Sequence, residues 1–352
     1  MARIITTARQ PAARRGLDRR TLLRTLLGAG GATFAGTLIG DLGGASWSRP
    51  VQAQTGFPAK PITIVCPYAA GATTDTVSRI VAQGLAAELG GVVVVENRPG
   101  AGGNIGTAAA AGAPPDGHTL VLGALGPFAV NGALYARLGF DPVADFAPLG
   151  LAASVPLALV VNPALGTKTV AELVAMIRQQ GSTTFASAGT GTPMHLAGEL
   201  FKRETGLPLV HASYRGSAPA INDVIGGHVP LMFDALVNIL PHVRGGTLRA
   251  LATTAAVRPS QLDDVPTLKE AGYDVVVSGW YGFLVQAKTP EPIRRRLEEA
   301  LARVVTGEEV RQKLYDLGSE PVETGPQPFR MLIRSESARW QPLVRALGLT
   351  AG

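Results

Sequence analysis

From residue 61 onward the chain repeats one local pattern: a short β-branched run, a turn rich in glycine, serine or threonine, then a helical period of apolar residues. That succession leaves few architectures, because strands separated by helices return to a common sheet through crossovers and build an α/β fold with a mainly parallel sheet. Four joints carry the pattern most clearly. In the first, strand 62–66 passes through Pro67-Tyr68-Ala69-Ala70-Gly71-Ala72-Thr73-Thr74-Asp75 into a helix whose apolar positions Val77, Ile80, Val81, Leu85 and Leu89 make one buried face. In the second, strand 92–96 leads through Asn97-Arg98-Pro99-Gly100-Ala101-Gly102-Gly103 to a small-residue helix at 104–111, and Pro115-Asp116-Gly117 turns the chain into strand 119–122.

The third joint runs from strand 184–186 through Ser187-Ala188-Gly189-Thr190-Gly191-Thr192 to a helix opened by Pro193, with Leu196, Ala197, Leu200 and Phe201 inward. Threonine followed by proline at the first helical position is a strong start signal. The fourth runs from strand 209–213 through Tyr214-Arg215-Gly216-Ser217 to a helix opened by Ala218-Pro219 and ended by Gly226-Gly227. Strand 229–233 follows, with Asp234 placed to cap the next helix. Two charged amphipathic helices are expected near 291–305 and 308–317, after a strand at 281–285. Apolar segments at 149–161 and 275–285 are the best places for the chain to cross between lobes. We therefore expect one lobe from 55–158 plus 279–352 and a second from 159–278, since one core holds roughly 100–200 residues.

Residues 1–54 hold eight arginines against Asp18 and Asp41, a surplus equal to the net charge of +6 for the whole chain. The remainder is formally neutral, which removes nucleic acid as an expected partner. The leader has the order of an export signal: an Arg-rich start ending in Arg19-Arg20-Thr21-Leu22-Leu23, a Gly/Ala/Leu stretch at 25–40, and Val51-Gln52-Ala53 for cleavage. The twin arginine reads as a twin-arginine-type signal peptide over 1–54, placing the mature chain in the periplasm. An anchoring helix is the alternative; it is disfavoured because a span needs roughly 20 apolar residues and Asp41 interrupts this stretch. Cys66 is the only cysteine, so no internal disulfide and no cysteine-rich metal site is expected. The scattered histidines lack metal-ligand spacing, and neither a metal nor a cofactor is expected.

In open α/β sheets ligands bind beyond the carboxyl ends of the strands. There each helix start presents unpaired amides and the positive end of its dipole, an anion site that needs no lysine or arginine. The turns of the first and third joints, one per lobe, are the natural pair to hold a carboxylate between them.

Several ordered segments are similar to one known family: Phe57-Pro58-Ala59-Lys60-Pro61-Ile62, Pro67-Tyr68 through Asp75, Glu96-Asn97-Arg98-Pro99-Gly100-Ala101-Gly102-Gly103-Asn104-Ile105-Gly106, Pro115-Asp116-Gly117-His118-Thr119-Leu120, His195-Leu196-Ala197-Gly198-Glu199-Leu200-Phe201, Tyr214-Arg215-Gly216-Ser217 and Asp264-Val265-Pro266-Thr267. Over nearly the whole mature chain they resemble the substrate-binding proteins of tripartite tricarboxylate transporters, the Bug receptors. The resemblance implies a two-lobed periplasmic-binding-protein fold of the hinged, type II-like kind. It also implies a carboxylate ligand (a di- or tricarboxylate, aromatic acid or amino acid) and a membrane permease as partner; a monomer is expected. Carried over by position, the ligand would meet Tyr68, Gly71, Thr73, Thr74 and Asp75 from one lobe and Ser187, Gly189, Thr190, Gly191 and His195 from the other. The chain departs from the family at Ala72, where a second glycine is usual, at Ala69-Ala70, where prolines are common, and at Arg215, where lysine is frequent.

Plainer roles stand beside these. Asp75 suits any first helical turn through the dipole, His195 suits packing, and Asp234 suits a cap more readily than a ligand contact. A hydrolase reading would take Ser187 as nucleophile, His195 as base and Asp75 or Asp234 as orienter. The chain has no G-x-S-x-G, H-E-x-x-H or P-loop motif to support it. A ligand sensor for a membrane signalling partner would use the same cleft as a transport receptor.

Overall fold

The computed structural model describes residues 56–351, so the expected signal peptide lies outside the described residues. The chain runs β1 (Ile62–Cys66), α1 (Thr73–Leu89), β2 (Val93–Asn97), α2 (Asn104–Ala111), β3 (Thr119–Ala124), α3 (Asn131–Leu134), β4 (Phe146–Val161), α4 (Val170–Gln180), β5 (Thr183–Ser187) and α5 (Pro193–Thr205). It continues through β6 (Leu209–Ser213), α6 (Ser217–Ile225), β7 (Leu231–Ala235), α7 (Leu236–Arg244), β8 (Arg249–Thr253), β9 (Ser278–Gln286), α8 (Glu291–Thr306), α9 (Glu308–Asp316), β10 (Glu320–Thr324) and α10 (Pro326–Ala346).

The strands form one hydrogen-bonded path, β2-β1-β3-β9-β4-β7-β5-β6, with β8 and β10 also on β4. Parallel pairing is confined to two groups, β1 with β2 and β3, and β5 with β6 and β7. These are the strands that the helix crossovers connect, as parallel neighbours require. The long strand β4 links the groups in antiparallel fashion. Its residues 146–156 pair with β9 and its residues 157–161 pair with β7 and β8. The result is the two-lobed α/β fold of a periplasmic binding protein, each lobe a sheet flanked by helices.

Two local expectations change. The strand expected at 281–285 starts earlier, as β9 at Ser278, and just before it the Val277 amide donates to Thr254 O at 2.8 Å, next to the end of β8. Asp234 does not cap α7. It lies inside β7, and Ala235 is the N-cap, without a side-chain cap bond.

The apolar periods become cores. Val77, Val81, Leu85 and Leu89 of α1 pack with Leu297, Leu301 and Val304 of α8. Burying each such side chain contributes roughly 1.5–3 kcal/mol. On the other lobe, α5 lies directly on β5 because Gly198 faces the Phe185 ring, where a Cβ would collide with the ring carbons. That close approach fixes where the turn between β5 and α5 stands.

Candidate functional site

A cleft of about 470 Å³ lies where the parallel strands end and their helices begin. Three helix starts open onto it: α1 at Ala72, Thr73 and Thr74, α5 at Thr192, Pro193 and Met194, and α6 at Gly216, Ser217 and Ala218. The rest of its wall includes Gly102, Asn131, Tyr135, Val155, Leu157, Asn238, Trp280 and Tyr281. Among the described residues, no Lys, Arg, His, Asp or Glu side chain lines it. A negative group entering it would meet first-turn amides with no intrahelical acceptor and the positive ends of helix dipoles. A second hollow of about 570 Å³ between α1 and α8 is instead bordered by surface charges, among them the paired Glu88 and Arg303.

The first turn is braced from within. The Gly71 amide donates to Asp75 Oδ2 at 2.9 Å, and the same oxygen accepts from Arg79 Nε at 3.0 Å. Asn97, at the end of β2, donates to Asp75 Oδ1 at 2.9 Å and to Tyr68 O at 3.2 Å. Burial pushes the Asp75 carboxyl up, but these hydrogen bonds and the Arg79 charge outweigh it and hold the group below the ordinary carboxylate range.

The third turn follows the same plan. The Gly189 amide donates to Ser187 Oγ at 3.2 Å and the Gly191 amide donates to His195 Nδ1 at 3.1 Å. Thr192 donates to Gly189 O at 2.7 Å and, as N-cap, accepts from the His195 amide at 3.3 Å. Behind this turn the His195 and His211 rings stack at 3.8 Å, and His211 Nε2 shares a 2.6 Å hydrogen bond with Ser187 Oγ. Burial, followed by the neighbouring His195, lowers His211 to about 4. Glu199 Oε1 lies 3.7 Å from His195 Nε2. That neighbour and Lys202 hold its carboxyl below the ordinary range against the opposing effect of burial.

The sequence-derived residues therefore divide into two sets. Tyr68, Thr73, Thr74, Thr190 and Gly191 line the cleft. Gly71, Asp75, Ser187, Gly189, His195 and Asp234 are not among its lining residues. Asp75, Ser187 and His195 are turned to the amides of Gly71, Gly189 and Gly191 and hold the two turns in shape. Asp234 is fully buried; its Oδ1 accepts from Ser217 at 2.9 Å, Asn238 at 2.8 Å and the Ala235 amide at 2.6 Å, anchoring the start of α6 to β7. Ser187 cannot serve as a nucleophile with His195: it is wholly buried, and its hydroxyl is bonded to His211.

Sequence reasoning passed over Ser217, Asn131, Tyr135, Asn238, Trp280 and Tyr281. Ser217 stands at the fourth joint, which carried the same helix-start signal as the first and third. Asn131 and Tyr135 lie outside the four joints, Asn238 in the helix expected after Asp234, and Trp280 and Tyr281 at the entry of the strand expected at 281–285.

A two-lobed α/β fold, with an uncharged cleft walled by helix N-termini from both sides, defines a solute-binding receptor. The chain belongs to the tripartite tricarboxylate transporter receptor family, whose description, "Tripartite tricarboxylate transporter family receptor", matches residues 77–349. This is a family of receptors, and the chain is a receptor rather than an enzyme. It is 35% identical over 307 residues to Protein BugT of Bordetella pertussis, covering 86% of this chain and 94% of BugT. It is also similar to Rpa4515 of R. palustris solved with adipate, at 33% identity and a TM-score of 0.77, over 84% of this chain and 100% of that one. MatC of Rhodopseudomonas palustris, solved with bound malate, matches at 32% identity and a TM-score of 0.73, over 82% of this chain and 100% of MatC.

Proposed function

We propose that this chain is a periplasmic receptor that captures a small carboxylate between its lobes and delivers it to the membrane permease of a tripartite transporter. The observation that carries the reading is the convergence of the α1 and α5 starts on one cleft whose described lining residues carry no charged side chain. A carboxylate there is held by the first-turn amides around Thr73, Thr74 and Met194, by the Thr190 amide in the turn before α5, and by threonine hydroxyls. The Thr74 hydroxyl is buried without a partner, which suits a ligand oxygen. The amides of Gly71, Gly189 and Gly191 hold the turns instead of the ligand. The acids bound by Rpa4515 and MatC, adipate and malate, support the same ligand class here.

The lobes assigned to 55–158 plus 279–352 and to 159–278 turn about β4 and the segment entering β9. The acid docks on one lobe, and closure brings the second lobe's amides onto it, so occupancy favours the closed form by its difference in affinity. The export leader at 1–54 accounts for the periplasmic location. The test is a thermal-shift screen of the protein without residues 1–54 against a panel of small carboxylates. A binding acid at one hundred times its Kd stabilises the fold by about 2.7 kcal/mol. A panel with no stabilising acid would overturn the reading.

A further inference from the structure

Helix α10 has two faces set by one spacing. Phe329, Ile333, Trp340 and Val344 are buried and recur at the interval that keeps them on a single stripe. One position further along the chain, Arg330, Arg334, Gln341 and Arg345 form a second stripe turned outward, with Arg334 and Arg345 exposed and Arg330 half-buried. Met331, Ala338 and Pro342 lie exposed beside it, Met331 at 70%. The helix carries four arginines and one acid, Glu336, although residues 55–352 are formally neutral. Glu336 is not on the outer stripe, and its carboxylate accepts from the buried Trp340 indole. Among the described residues no carboxylate pairs with Arg330, Arg334 or Arg345, and Arg345 reaches only the Gln341 amide oxygen at 3.3 Å.

The inner side of the same helix rests on the parts of the chain that form the cleft. Phe329 meets the ring of Trp280, a cleft residue, edge-on at 5.3 Å. Arg339 Nη2 donates to Val276 O at 2.6 Å, in the segment that enters β9. Ser337 Oγ donates to Phe128 O at 3.2 Å, and just past the helix the Ala351 amide donates to Leu134 O at 3.0 Å. Leu134 is the residue that faces Gly191 from the opposite side of the cleft. A displacement of the cleft wall is therefore transmitted to α10 through close-packed side chains and hydrogen bonds.

The uncompensated positive stripe calls for a partner that brings carboxylates, and its exposed apolar neighbours for one that packs against them. A lipid surface would take a basic face whatever the state of the cleft. A permease that accepts loaded receptor and releases empty receptor needs a face tied to the cleft, as α10 is. We propose that the outer face of α10 is the surface on which the membrane permease docks, its arginine stripe meeting an acidic patch of the permease and Met331 and Pro342 packing beside it. This docking face rests on the delivery reading and adds where the permease makes contact.

The experiment measures uptake of the labelled acid found in the screen by spheroplasts of the producing bacterium, deleted for this receptor and supplied with the purified protein. Wild-type protein is expected to restore saturable uptake. Arg334→Glu and Arg345→Glu should each raise the receptor concentration for half-maximal uptake at least tenfold, while Arg334→Lys stays near the wild type. The Kd for the acid, read by calorimetry, should be unchanged in all three variants. Added salt should weaken the wild type more than the glutamate variants. Glutamate variants that support uptake at wild-type concentrations, or that bind the acid more weakly, would overturn the docking face while leaving delivery standing. So would loss in Arg334→Lys as large as in Arg334→Glu. Wild-type protein that co-sediments with protein-free vesicles of phosphatidylglycerol and phosphatidylethanolamine, where the glutamate variants do not, would assign the stripe to lipid and overturn it as well. No uptake with the wild type would sink delivery and the docking face together.

Discussion

The Gly191 amide donates to His195 Nδ1 across 3.1 Å, so the turn opening α5 is fastened by a side chain from the first turn of its own helix. Asp75 holds Gly71 at 2.9 Å with the same four-residue reach at the start of α1. The two sides of the cleft thus use one device with different chemistry, a carboxylate on one and an imidazole on the other. In both, the brace fixes the amides that remain free for a ligand.

Removing the imidazole leaves the Gly191 amide without its partner and empties the stacking place against His211. His195→Ala is expected to lower apo stability by about 2–4 kcal/mol, from a lost buried hydrogen bond and a cavity. Urea unfolding measures this, and calorimetry with the acid found in the screen is expected to lose at least tenfold in affinity. Wild-type stability and affinity would show that the turn holds its shape without His195.

Asp75→Asn keeps the shape of the side chain but removes its charge and one acceptor oxygen. The Gly71 amide and Arg79 then compete for what remains, at a cost of about 1–3 kcal/mol. Because the folded carboxyl sits below its ordinary range, its contribution is complete above the unfolded value near 3.8 and fades as pH falls below it. Unfolding at pH 7 and at pH 3 should show the wild-type advantage over Asp75→Asn shrinking at the lower pH.

His211 supplies a pH dependence in a higher window. Its folded pKa of about 4 lies below the ordinary 6.5, so between those values the unfolded chain binds a proton that the native chain does not. Stability from the neutral imidazole is complete above pH 6.5 and declines as pH falls toward 4. In His211→Gln the fall in melting temperature between pH 7 and pH 4.5 should be shallower than in the wild type. Identical slopes would remove His211 as the source.

Gly191 has φ of +79°, and a Cβ there would run into Leu134 Cδ1 across the cleft. Gly191→Ala carries a backbone cost of roughly 1–2 kcal/mol from the left-handed conformation. It also pushes the two sides of the cleft apart, so affinity is expected to fall at least tenfold. Adding Leu134→Ala to Gly191→Ala makes room for the methyl group and should recover part of the affinity while leaving the backbone cost in place. A double-mutant cycle without coupling would show that the two residues do not meet in the bound state.

Local sequence determined the joints. Glycine, proline and threonine at the ends of β-branched runs impose the turn and start the helix through contacts only a few residues long, so the strand–turn–helix order and the cleft residues Thr73, Thr74, Thr190 and Gly191 were legible. The ordered segments that resemble the family carried the expectation of a receptor, while composition spoke only for an export leader and a formally neutral remainder. Tertiary structure decided which polar side chains face the ligand. Asp75 and His195 carry the same local signal as a ligand contact, and they become braces because Asn97 of β2 and His211 of β6 stand beside them. Those neighbours arrive through strand pairing, where Cys66 faces Asn97 and Phe185 faces His211. Tyr281 read as an ordinary strand residue and Trp280 as part of the segment leading into that strand, and they join the cleft wall because β9 is inserted between β3 and β4, which sets Tyr281 opposite Ala124 and Ala153. Pairings between residues far apart in the chain are fixed by the packing of the whole sheet, so no window of local sequence contains them.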